Sequence, residues 1–394
     1  MSTRKLVLTF LSALLGLATM GIAQAQTTEA TVTKVTGSAN VTLPDGSSQA
    51  VTVGMKLPQG SEITTGDASQ VIVNAHEGIV AVASSKTVIA ISELSVSPNG
   101  TRNATIALKS GNLASSLDPT KKAINNYKVS TPKGVAAARG TTYSVSYNGG
   151  TLSVTVVAGV VQSFTLTGTS LGNTTSGNTS TTTDAGTTSQ TLAQAIASEG
   201  AALGEALTAL ATSVASVGGA DAVANVSAVV AQIATSAADS PAATAIVANA
   251  TGSAAATLSQ GSGGTAAAAQ VVGAAVAASA KAGNTAAAGT IVATATTTTS
   301  AVSGGADAVA GIASAFSAEA TTQAAQLGAP VTINVDNVTT AATNAVSTVT
   351  TTTNTPAVTV DTPPSSETPP ATTEVVVPII TTPQPIDPGT ISRS

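Results

Sequence analysis

The chain has 394 residues, of which only 8% are charged and 2% aromatic, with no Cys, no Trp and a single His, and its net charge is −5. Without Cys there are no disulfides, thiolate nucleophiles, zinc–thiolate sites or iron–sulfur clusters. One His excludes a two-His metal site. The charge is unevenly placed: residues 26–168 hold 10 Lys/Arg and 7 Asp/Glu, whereas residues 169–394 hold 2 and 12. A surplus of three cations lacks the basic density that nucleic acid requires, so no nucleic-acid partner is expected.

Residues 1–25 read as a secretory signal peptide. Arg4 and Lys5 precede an apolar run over 6–22, followed by Ala23-Gln24-Ala25, an A-x-A site with cleavage expected before Gln26. The run is shorter than the roughly 20 residues a bilayer span needs. The expectation is an exported protein, in the periplasm or at the surface of a bacterium, with no integral membrane segment after cleavage.

Residues 26–168 read as an all-β domain. Val, Ile and Thr alternate with polar residues in short segments such as 31–35, 69–74, 79–83, 142–147 and 151–157. Alternation at period two marks half-buried strands. Turn residues recur between them, among them Asp45-Gly46, Glu77-Gly78 and Asn148-Gly149-Gly150. A short-strand sandwich or β-solenoid follows. Residues 169–189 are Thr, Ser, Gly and Asn with almost nothing apolar, which reads as a flexible linker.

Over 190–328 the period changes. Ala dominates, with Leu, Ile and Val at helical spacing and breaks at Gly218-Gly219, Asp239-Ser240-Pro241, Gly261–Gly264, Gly283-Asn284 and Gly304-Gly305. Ala has the best intrinsic helix propensity. Five or six short helices are expected, packed as hairpins or a small solenoid, with Ser240 as an N-cap before Pro241. The heptapeptide Gly-Gly-Ala-Asp-Ala-Val-Ala occurs at 218–224 and again at 304–310. Residues 329–394 are rich in Thr, Val and Pro and read as a disordered acidic tail.

One stretch is more informative than its composition. Residues 127–145 run Tyr127-Lys128-Val129-Ser130-Thr131-Pro132, a small apolar segment, then Arg139-Gly140-Thr141-Thr142-Tyr143-Ser144-Val145. Pro132 keeps Thr131 extended and closes a strand. Arg139 carries five fixed donors, to cap carbonyls or to pair a carboxylate such as Glu62, Asp67 or Glu93, or else to meet a carboxylate or glycan from outside. Upstream, Gly54-Met55-Lys56-Leu57-Pro58-Gln59-Gly60-Ser61-Glu62-Ile63-Thr64-Thr65-Gly66 forms a second element, and 154–161 a third. In this order they resemble the FecR domain over about 32–165. The motif residues Thr131, Pro132, Arg139, Gly140, Thr141 and Tyr143 are expected to serve structure. The resemblance implies a periplasmic module that, in FecR-type regulators, relays signals from an outer-membrane receptor to a cytoplasmic sigma factor. Those regulators carry an anti-sigma segment before one transmembrane helix. Only five residues precede the apolar run here, so a stand-alone secreted module is expected.

Catalytic chemistry finds little support. His76 lies in a turn-like sequence, no Gly-Lys-Ser/Thr phosphate loop occurs, and the acids are scattered rather than clustered for calcium. The expectation is a non-enzymatic protein without cofactor or metal. It would act as an envelope binding or scaffold module whose partner is an envelope protein or a cell-wall glycan. The alternatives are a matrix protein that self-associates through its Ala/Thr-rich region, and a signalling partner of an envelope receptor.

Overall fold

The computed structural model describes residues 26–353, apart from 200, 218–220, 238–240 and 262. The expected signal peptide with Ala23 and Ala25, the Ser240 cap and the tail beyond 353 lie outside the described residues.

Strands built from the alternating segments form two sheets. The outer sheet runs in the order β4 (Ser48–Ala50), β3 (Ala39–Thr42), β6 (Glu62–Thr65), β9 (Val88–Val96), the first half of β10 (Arg102–Leu117), β11 (Asn125–Ser130), β12 (Val135–Ala138), β15 (Val160–Phe164) and β16 (Ser170–Thr175). A short β1 (Gln26–Thr27) pairs with the end of β9. The second sheet, here the middle sheet, runs β5 (Lys56–Leu57), β2 (Ala30–Thr36), β7 (Gln70–His76), β8 (Ile79–Ala83), the second half of β10, β13 (Thr142–Asn148), β14 (Thr151–Ala158), β17 (Asn178–Thr183) and β18 (Gly186–Thr191). Neighbours pair antiparallel, except β10 with β11, which is parallel.

The chain passes repeatedly from one sheet to the other, and β10 does so without interruption. Its residues up to Ser110 pair with β9, and those from Gly111 pair with β13. Gly111 sits at the bend with φ +94°, and a Cβ there would lie 2.6 Å from the Thr87 Cα. Only glycine permits both the backbone angle and the approach. Thr87 secures the bend: Asn112 N–H donates to its Oγ1 at 3.0 Å.

Alternation decides what each strand face buries. In β7 and β8, Val71, Val73, Ala75, Ile79, Ala81 and Ala83 join the core between the sheets, while Ile72, Val80 and Val82 point the other way. That second face is covered by helices, which is why these two strands read as continuous apolar runs. The molecule is therefore three layers deep: outer sheet, middle sheet, helices.

The helices are α1 (Leu192–Glu199), α2 (Ala201–Val217), α3 (Ala222–Ser236), α4 (Pro241–Ser259), α5 (Gly264–Lys281), α6 (Ala287–Ser303), α7 (Val309–Gln326) and α8 (Val335–Thr353). Pro241 opens α4 as expected. Packing follows an i, i+2 rule: α2 lies on α4 and α4 on α6, while α3 lies on α5 and α5 on α7. Two rows of stacked helices make a small solenoid. The repeated heptapeptide falls at the entries to α3 and α7, two stacking units apart, which gives a repeat of about 43 residues. Close approach depends on small residues. A Cβ on Gly204 would lie 2.8 Å from Ile246, and one on Gly252 would lie 2.7 Å from Thr298. Helix α2 faces the middle sheet, where Leu207 and Leu210 meet Val80 and Val82 in one buried cluster. Its Glu205 carboxylate accepts from the Ser85 N–H at 2.9 Å and from the Ser85 hydroxyl.

Two expectations need correction. Residues 169–189 are not a flexible linker but strands β16 to β18 and their turns. Their buried positions are hydroxyls that satisfy one another: Thr155 with Thr179 at 3.0 Å, Thr174 with Ser180 at 2.7 Å, Thr182 with Thr187 at 2.9 Å. A search for apolar alternation passes over such strands. Residues 329–353 are not wholly tail either, since α8 begins at Val335. Asn334 caps it, its Oδ1 accepting from Asn337 N–H at 3.0 Å. Val338, Ala342 and Val346, at i, i+4 spacing, form its buried stripe.

Candidate functional site

The motif residues are placed by the corners of the β layers. Thr131 and Pro132 form the turn between β11 and β12. The Thr131 hydroxyl donates to Gly134 C=O at 2.9 Å and accepts from Gly134 N–H at 3.1 Å and Lys133 N–H at 3.2 Å. Arg139, Gly140 and Thr141 make the passage from the outer to the middle sheet. Gly140 has φ +63°, and a Cβ there would lie 2.8 Å from the Pro119 Cα. Thr141 is buried, its hydroxyl donating to Val160 C=O at 3.2 Å. Tyr143 stacks edge-on against Tyr127, ring centroids 6.5 Å apart and planes at 66°, both rings fully buried. Burial pushes both phenols well above the usual tyrosine range. The Tyr127 hydroxyl meets Ser115 Oγ at 2.9 Å.

Arg139 departs from its expected pairing. Its side chain is exposed, and among the described residues it has no hydrogen-bond or ion-pair partner. Glu62 pairs with Lys109, Asp67 pairs with Lys86 at 3.0 Å, and Glu93 accepts from Thr105 at 3.1 Å. The corner aims Arg139 outwards because Ala138, its neighbour, takes the inward position of β12.

His76 ends β7 half-buried, with Nε2 3.1 Å from Asn103 C=O. Loss of water holds its pKa below the ordinary imidazole value, with the Arg102 charge adding to the effect. Next to it, Glu77 is held low by a hydrogen bond and charge from Lys121, then by Arg102, whose guanidinium is 3.1 Å away. This charged knot ties the crossover over residues 118–124 to the β7–β8 turn.

Among the described residues, two surfaces of the β layers have room for a ligand, besides cavities of about 890 and 720 Å³ lined mainly by the helices. One is a cleft of about 870 Å³ between the Gly140 corner and helices α2 and α3, with Asp118, Asp221, Asn225 and Gln232 on its walls. Asp118 is already engaged there, one oxygen accepting from the N–H and hydroxyl of Thr120 at 2.9 and 2.6 Å. The other is the solvent face of the outer sheet. The register sets Glu93, Thr105, Lys128, Ala137, Gln162 and Asn173 in one row across six strands. At about 4.8 Å per strand, that row is about 24 Å long. Beside it Ser95, Asn103 and Asn126 form a second polar row, with Asn126 Nδ2 donating to Asn103 Oδ1 at 2.9 Å. On the other side runs a weakly apolar row, Ala107, Ser130, Val135 and Phe164. Lys128 has no ion-pair partner among the described residues, and Arg139 stands at the end of the next strand in the same alternation. Sequence reasoning singled out Arg139 but not Lys128, Asn126, Gln162 or Asn173. Their outward positions are legible from period two, but the register that aligns them is not.

Residues 29–162 match the FecR protein family model, so this chain carries a FecR domain. Two crystal structures of a candidate anti-sigma factor from Parabacteroides distasonis ATCC 8503, at 1.65 and 2.50 Å resolution, are similar at 13% identity. The similarity covers 33% of this chain and 59% of that one, with a TM-score of 0.29. No curated protein matches the chain. No helix among the described residues is long and apolar enough to cross a membrane.

Proposed function

We propose that this is an exported, non-catalytic FecR-domain protein that binds a component of the cell envelope through the open face of its outer sheet. The observation that carries the reading is the asymmetry of the two sheets. The central strands of the middle sheet, β7, β8 and the second half of β10, are buried on both faces over most of their length. The outer sheet leaves one face open, and that face bears hydrogen-bonding side chains with Lys128 and Arg139 unpaired. A flat array of amides, hydroxyls and two free cations suits a glycan or protein that carries carboxylates. The motif residues support this division of labour. Thr131, Gly140, Thr141 and Tyr143 hold corners and core, so the exposed row is left for contact. The helical solenoid covers the middle sheet and leaves the open face of the outer sheet uncovered.

The test is co-sedimentation of the full chain with insoluble cell-wall peptidoglycan, and capture of solubilised envelope protein on the immobilised full chain. Retention is expected in one of the two, with at least about a 10-fold loss in a Lys128→Glu/Arg139→Glu variant, as for removal of charged contacts worth about 1.4 kcal/mol or more. Retention of that variant at the wild-type level counts against the reading. A second reading, a relay partner of an envelope receptor, rests on the FecR family match alone. It predicts altered transcription of one receptor operon on deletion.

A further inference from the structure

The ends of the two sheets are not treated alike. A sheet edge exposes unpaired backbone groups, and proteins blunt such edges with short strands, charge, proline or bulges. Strand β4 is three residues long and follows Pro44-Asp45. Strand β5 is two residues long, with Lys56 in it and Pro58 after it. Strand β16 is broken by a register shift and by Gly172 at φ +108°. Strand β18 has a positive-φ glycine only at its first residue, Gly186 at φ +130° beside the turn, and none of these devices from Thr187 on. It pairs with β17 over six consecutive positions without a shift, and Gly186-Thr187-Thr188-Ser189-Gln190-Thr191 contains no charge and no proline. Thr187, Thr188 and Ser189 are exposed. The one charge at the adjoining turn, Asp184, is matched by Lys133.

Geometry fixes which groups face out. The two-residue turn Asp184-Ala185 makes Thr183 and Gly186 the closing bonded pair, and antiparallel pairs then alternate. Thr188 bonds inward to Thr181, while Thr187 and Ser189 turn their N–H and C=O away from β17. The close contact of the Thr182 and Thr187 hydroxyls fits a non-bonded pair at that position.

We propose that the β18 edge pairs with the same edge of a second copy of this chain. A two-fold axis at Thr188 sets Thr187 of one copy opposite Ser189 of the other, and the reverse, giving four backbone hydrogen bonds. An uncharged strand meets no repulsion from its own copy, and Thr faces Thr on the axis, a favourable cross-strand pair. The contact is isologous and closes at two. It joins the two middle sheets into one. A six-residue edge buries less than the area of a standard interface, so the dimer is concentration-dependent.

Sedimentation velocity of the full chain from about 10 to about 300 μM tests this, a range suited to small interfaces. The wild-type mass is expected to climb from that of one chain towards twice that value. Ser189→Pro removes an outward N–H and no bond to β17, and Ser189→Lys adds a charge at the same place. Both variants are expected to keep the wild-type circular dichroism spectrum and to stay monomeric across the range. A wild type that stays monomeric overturns the proposal. So does a dimer that persists in either folded variant.

Discussion

One methyl group added at Gly111 separates backbone strain from collision at the bend of β10. Gly111→Ala places a Cβ at φ +94°, 2.4 Å from the Thr87 hydroxyl and 2.6 Å from the Thr87 Cα. A left-handed conformation costs an L-residue about 1–2 kcal/mol. Backbone cannot swing aside as a flexible side chain would, so Thr87 must shift. Its hydroxyl then loses the Asn112 N–H at 3.0 Å and the Ser85 C=O at 3.1 Å. A buried group left without its partner costs about 1–3 kcal/mol. The sum is about 2–5 kcal/mol. Gly100→Ala is the control: its φ is +80°, but a Cβ there meets nothing within 4 Å, so strain alone applies. The assay is urea unfolding followed by tyrosine emission. The protein has no Trp, and its three tyrosines, Tyr127, Tyr143 and Tyr147, all lie in the β layers. With a slope of about 2 kcal/mol/M, Gly111→Ala is expected to lower the midpoint by about 1–2.5 M and Gly100→Ala by about 0.5–1 M. Equal shifts for the two variants refute the collision argument.

Three further outcomes follow from the packing and the charges. Leu207→Ala opens the α2–middle sheet contact and is expected to cost about 2–5 kcal/mol. Tyrosine emission and the helical signal at 222 nm should both shift to lower urea, and a shift confined to the helical signal contradicts a shared interface. His76, the single histidine, should titrate below 6.5 in the folded protein, because burial disfavours its charged form. Its contribution to stability is therefore intact above the unfolded pKa and is lost as pH falls through the folded midpoint. An NMR midpoint above 6.5 contradicts the desolvated setting. Tyr127 and Tyr143 should resist ionisation at about pH 11, above the ordinary phenol value of about 10. Absorbance at 295 nm should show no more than one of three tyrosines ionised while the fold persists, and ionisation of all three with the 222 nm signal intact argues against full burial.

The strands and helices that bury apolar side chains are legible in the sequence because their periodicity is the physical cause of their burial. β7, β8, β13 and β14 announce themselves through Val and Ile at period two, and α2 through Leu203, Leu207 and Leu210. A hairpin between Tyr147 and Thr151 is legible from Asn148-Gly149-Gly150, but its turn residues are Gly149 and Gly150, both at positive φ, while Asn148 pairs with Thr151 in the ladder rather than turning with Gly149. β16 to β18 are hidden because hydroxyl pairs such as Thr155–Thr179 replace apolar contacts. The start of α8 is hidden because Thr-rich sequence masks the stripe Val338, Ala342, Val346. The motif is visible as Arg139-Gly140-Thr141, yet its function as a corner is not, since Pro119 and Val160 reach it from distant segments. The Lys128 row depends on strand register across β9, β10, β11, β12, β15 and β16, and the passage of the chain between two sheets sets that register.

Hydroxyl-radical footprinting of the full chain, free and bound to whichever envelope fraction retains it, tests the open-face account most directly. Phe164, Val135 and Lys128 report the outer sheet, and Val302 and Leu327 report the solenoid, where both are more than 40% exposed. The account predicts that binding protects Phe164, Val135 and Lys128 and leaves Val302 and Leu327 as reactive as in the free protein. Protection of Val302 or Leu327 with the outer-sheet residues unchanged would contradict it.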